Sequence, residues 1–139
     1  VTADAPVQAE LKQMNGLSLI IQPCAAERAG CMRVCLSGTA LQAAAYVASI
    51  ASSPDSRTCW QYFKAVARIE GEQTYHWLSE CQDLNFSAST DSAFPDQILL
   101  SVHLGSTRDD DCDWQINGTL LLSYQQVDDF AEALKGLAL

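Results

Sequence analysis

Apolar residues recur at two different spacings in this chain, and the change of spacing marks out its elements. Near the end, Val127, Phe130, Ala131, Leu134 and Leu137 follow one another as the residues on one face of a helix do. Ser123 and Gln126 stand before them as a capping box, in which hydroxyl and amide satisfy orphan backbone donors. Asp128, Asp129 and Glu132 lie toward the start of this segment and Lys135 near its end, which suits the helix dipole. The stretch 123–139 therefore predicts an amphipathic C-terminal helix. Elsewhere the period falls toward two. "GLSLIIQPC" (16–24) and "CMRVCLS" (31–37) are rich in Ile, Leu and Val, and predict a hairpin about "AAERAG" (25–30). "QILLSVHLG" (97–105) and "DWQINGTLLLSY" (113–124) predict a second antiparallel pair, with Asn117-Gly118 as a bulge or bend.

Three segments support competing readings. In "DAPVQAELKQMN" (4–15), Asp4 as N-cap, Pro6 in the first turn and a Val7, Leu11, Met14 face predict a short helix, with an N-terminal arm as the alternative. In "GTALQAAAYVASIASSP" (38–54), Thr39 and Gln42 form a capping-box pattern before an alanine-rich run that Pro54 closes. That favours a helix, although "YVASI" alternates like a strand. Across 56–89, a helical stripe of Cys59, Phe63 and Val66 competes with alternation at Phe63, Ala65, Ala67 and Ile69. The crowding of Trp, Tyr, Phe and Val favours a β-hairpin turning at "EGEQ" (70–73). "SASTDSAFPD" (87–96) is a loop by composition. The sum is a single α+β domain over residues 1–139: an antiparallel sheet of about five or six strands with about two or three helices packed on it. No internal repeat, linker or low-complexity tract is visible.

The chain has 139 residues, 48 % of them hydrophobic, enough for a sizeable core. Seventeen acidic residues against eight basic ones leave a net charge of −9. That balance argues against a nucleic-acid partner or an anionic membrane surface, and it suits a cationic protein partner. The longest apolar runs, "LSLII" (17–21) and "TLLLSY" (119–124), are far shorter than a membrane span. The opening "VTADAPVQAE", without Met, reads as the start of a mature exported chain, periplasmic or secreted; a cytoplasmic location is the alternative.

The six cysteines are Cys24, Cys31, Cys35, Cys59, Cys81 and Cys112, an even count that suits disulfides in a small exported domain. The predicted hairpin sets Cys24 opposite Cys31 at its mouth, where a small adjustment brings the Cβ atoms into bonding range. The pairing of the other four stays open. A zinc site is disfavoured. The Cys31–Cys35 spacing is permitted, but no second close pair follows, and His76 and His103 are isolated. No metal or other cofactor is expected.

Catalytic signatures are also missing: there is no G-x-S-x-G elbow and no glycine-rich phosphate loop. The enzymatic alternative is an unfamiliar type that uses Cys35 or His76 with a nearby carboxylate in a concave pocket. Glu70, Glu72, Glu80 and Asp83 are candidate acids by residue type alone. In "RDDDCD" (108–113), Asp109, Asp111 and Asp113 alternate as at the start of a calcium loop. The match then fails, with Trp114 where the loop needs Gly and Leu120 where it needs Glu. The acidic stretch instead suggests a contact surface. Arg108, Asp109, Asp110, Asp111 and Asp113, with Glu27 and Arg28 at the hairpin tip, are the candidate partner-binding residues.

In size, acidity, cysteine content, α+β outline and the strand-then-helix ending "NGTLLLSYQQVDDFAEAL", the chain resembles the small exported immunity proteins with which bacteria neutralise antibacterial effectors in the periplasm. The resemblance implies a non-enzymatic inhibitor that covers or plugs the active site of a secreted toxin enzyme. A cytosolic adaptor similar to acid-rich secretion chaperones, its cysteines free, is the other non-enzymatic reading.

Overall fold

The computed structural model describes residues 8–13, 16–24, 31–39, 42–49, 51, 57–80, 83–106 and 114–139. The chain runs through β1 (Ala9–Lys12), β2 (Ser18–Pro23), β3 (Cys31–Ser37), β4 (Gln42–Ala48) and α1 (Cys59–Val66). It continues through β5 (Thr74–Leu78), β6 (Leu84–Asp91), β7 (Phe94–Ser106), β8 (Trp114–Ser123) and α2 (Tyr124–Gly136). The expected single sheet is in fact two four-stranded antiparallel sheets, β1-β2-β3-β4 and β5-β6-β7-β8, with two helices among the described residues. Each sheet is a simple meander followed by a helix. The order of elements therefore repeats, although the residues do not.

Both sheets bury one face, as period-two patterning dictates. The first contributes Leu11, Leu19, Ile21, Val34, Leu36 and Val47, and the second Trp77, Phe86, Leu100, Val102, Leu120 and Leu122. These join with Phe63, Val127 and Phe130 of the helices in one continuous core cluster. Gly118 marks a close approach between the sheets: a Cβ there would lie 3.0 Å from Leu36 Cδ2. The Asn117-Gly118 step is thus neither bulge nor bend, and β7 and β8 pair in unbroken register through it.

Four expectations are corrected. Residues of the proposed N-terminal helix form β1, which pairs with β2, Leu11 facing Leu19 and Glu10 turned outward. The alanine-rich segment is β4, an edge strand on β3; strand pairing overrides the helix propensity of alanine. Within 56–89 the first half is helical. Thr58 caps α1, accepting from the Gln61 N–H while the Gln61 side chain accepts from the Thr58 N–H. The 87–96 loop is the closing end of the β6–β7 hairpin, where Asp91 faces Phe94.

Other expectations stand. The hairpin of β2 and β3 is present and closed by a Cys24–Cys31 disulfide, Cα atoms 5.6 Å apart. α2 begins at the expected capping box of Ser123 and Gln126 and buries Val127, Phe130, Ala131 and Leu134. α1 and α2 are tied by Lys64, whose Nζ lies 2.9 Å from Asp128 Oδ1 and 2.8 Å from Glu132 Oε2. No helix among the described residues is long and apolar enough to cross a membrane.

Candidate functional site

The solvent face of the second sheet is laid out in three cross-strand ranks. Thr74, Ser89, Leu99 and Leu121 form one; His76, Ser87, Ser101 and Thr119 the next; Leu78, Asn85, His103 and Asn117 the third. In a chain of charge −9, these ranks hold no carboxylate, lysine or arginine. The second and third ranks are mostly short hydroxyls and amides. Among them His103 Nδ1–H donates to Asn117 Oδ1, since a carbonyl oxygen can only accept.

The first rank is different. Leu99 and Leu121 sit directly opposite each other and are 43 % and 39 % exposed, and Phe94 nearby is 57 % exposed. Alternation along β7 and β8 puts these leucines on the water side, so they cover nothing in the core. They floor a groove of about 470 Å³ lined also by Glu72, Ser89, Thr90, Asp91 and Gln97. Its walls are held by hydrogen bonds within the β6–β7 turn and between that turn and the α1–β5 connection. Glu72 Oε1 accepts from the Ser92 N–H at 3.3 Å, Asp91 Oδ1 accepts from the Ala93 N–H at 3.0 Å, and Thr90 Oγ1 donates to Gly71 O. Gly71 has φ +68°, a left-handed turn that glycine adopts without strain. The result is an apolar floor between two fixed carboxylates, suited to an apolar side chain with a cation beside it.

The residues singled out in the sequence do not converge here. Glu27, Arg28, Arg108, Asp109, Asp110, Asp111 and Asp113 lie outside the described residues, as do Cys81 and Cys112. Cys35 and His76 are not brought together. Cys35 is on the outward side of β3, 4 % exposed, its Sγ 3.6 Å from Gln42 Nε2; His76 is on the outward face of the other sheet. Cys59 is buried in α1, and that burial raises its thiol pKa far above the ordinary value, which keeps it protonated. Among the described residues, no three His, Cys, Asp or Glu side chains group to hold a metal ion. Of the candidate acids, only Glu72 lines the groove. The groove's signal in the sequence was the out-of-phase leucine in "QILLSV" and in "GTLLLS".

The chain matches no protein-family model, no curated protein and no solved structure.

Proposed function

We propose that this protein is a non-enzymatic binding protein that neutralises a basic protein partner, in the manner of a periplasmic immunity protein blocking an antibacterial effector enzyme. The observation that carries the reading is the groove of Phe94, Leu99 and Leu121 between Glu72 and Asp91. A partner segment with an exposed Leu or aromatic residue flanked by Lys or Arg fits it in shape and charge. The overall charge of −9 adds attraction at a distance and speeds encounter. The Cys24–Cys31 disulfide supports an oxidising compartment.

A photo-crosslinking amino acid at position 99 tests this in cells that export the protein. The expected product is a single basic protein. Its purified complex should weaken with added salt, and Leu99→Asp should weaken it about tenfold or more, as loss of a central anchor does. Binding that ignores both salt and Leu99→Asp would refute the groove as the contact surface.

A further inference from the structure

We propose that the outer edge of β4 is a strand-addition site for an extended segment of a partner polypeptide carrying large apolar residues at alternate positions. It is separate from the groove and does not depend on it.

The hydrogen-bonding parity of the first sheet fixes which backbone groups face this edge. The Cys24 N–H donates to Cys31 O at 3.4 Å, in register with the Pro23–Met32 pair beside it. Bonded and non-bonded pairs alternate in antiparallel strands. Cys31, Arg33, Cys35 and Ser37 therefore bond to β2, and Met32, Val34 and Leu36 bond to Val47, Ala45 and Ala43 of β4. The N–H and C=O groups of Gln42, Ala44, Tyr46 and Ala48 then point away from the sheet. Ala48 agrees: its carbonyl accepts from Ser79 Oγ at 2.8 Å, a residue beyond β5. Among the described residues, no hydrogen bond of the Ala44 or Tyr46 backbone runs outward from this edge.

Just past the C-terminal end of β4 Ala51 bridges Ser79, but among the described residues the stretch before it, "QAAAYVA", lacks the charge, proline and bulge that protect edge strands. The other edges differ. β1 carries Glu10 and Lys12, β5 is short, and on β8 the Leu121 N–H is capped by Gln13 Oε1 at 3.0 Å.

There is also space beneath an added strand. Ala43 and Ala45 face inward yet are only half-buried. An open depression of about 410 Å³ lies at the N-terminal end of β4, lined by Gln42, Ala43, Ala44, Trp114, Gln115 and Ile116. Inward side chains of a strand laid along β4 would recur about every 6.8 Å, and the one beside Ala43 would enter this space next to Trp114.

The area argues for a partner segment rather than a second copy. A strand the length of β4 covers a strip of roughly 200–300 Å² per side, against about 800 Å² per partner in a stable complex. A second copy would also present a β4 whose inward alanines already face its own core, leaving the depression unfilled.

Random heptapeptides displayed on phage and selected against the full chain test the proposal. Selected peptides are expected to share large apolar residues at alternate positions and to slow hydrogen exchange at the Ala44 and Tyr46 amides. Ala44→Pro should weaken them about tenfold or more by removing one backbone donor and blocking the approach. Leu99→Asp should leave them unchanged. N-methylation of the peptide at alternate amides should abolish binding, a readout independent of whether Ala44→Pro folds. Failure to select peptides, absence of the alternation, or indifference to N-methylation would overturn the proposal. So would amides at 44 and 46 that exchange slowly in the free protein, or a concentration-dependent dimer in which two β4 edges pair.

Discussion

Phe63 shows how much one side chain holds. Its ring meets Tyr62, Phe86 and Phe130 at centroid distances of 5.1, 4.9 and 4.8 Å, each edge to face. It thereby joins α1 both to the second sheet and to α2. Tyr62 beside it donates its hydroxyl to Tyr75 O at 2.7 Å, so the buried phenol is satisfied, and burial raises its pKa. Phe63→Ala should lower unfolding stability by about 3–5 kcal/mol, and Phe63→Leu by clearly less; urea denaturation measures both. The sequence marked Phe63 as apolar under either reading of its segment. Which rings it would meet depended on partners distant along the chain, and no local pattern carries that.

The two capping boxes teach different lessons at the level of elements. Ser123-x-x-Gln126 is legible because a clean apolar stripe follows it. Thr58-x-x-Gln61 has the same form, yet the aromatic crowding of "CWQYF" favours strand when read locally. Tyr62 and Phe63 serve a helix because they pack on Trp77 and Phe86 of the second sheet's inner face, while Trp60 lies beneath Lys135 of α2. Thr58→Ala should cost about 1 kcal/mol, since it orphans a backbone donor at the start of α1; chemical denaturation should show the change with the slope unaltered. β4 failed in the opposite direction: its alanines prefer a helix, and only the ladder to β3 makes them a strand. The β2–β3 hairpin and its disulfide were readable because turn, strand pattern and cysteine spacing agreed. The groove was not, because an out-of-phase leucine is a signal only once the register is known.

The two meander-and-helix units meet at whole-molecule scale through the shared core and the Lys64 clamp. The hydrogen bond from Lys64, with its charge, holds the Glu132 carboxyl below the usual carboxylate range. A depressed folded-state pKa means stability that is present above the unfolded value and lost as pH falls through the folded one. Glu132→Gln should therefore lower the melting temperature at neutral pH, while in strong acid the two proteins should melt alike. The clamp lies at the surface, where screening keeps its effect small. A difference that grew in acid would show that the carboxylate does not draw its stability from Lys64.

Neither sheet contains a crossover, so every strand pairs with its neighbour in the chain. Each pairing closes a short loop, which favours rapid assembly for a protein so rich in strands. A chain emerging from synthesis could zip the first meander before the second exists. Its inner face would stay wet, however, because the residues that cover it come later. α2 begins only at Tyr124 and supplies Phe130, the ring that meets Phe63. The native state is thus sealed by a segment made after both meanders, and chains truncated before it should be drawn to chaperones and proteases rather than to a partner.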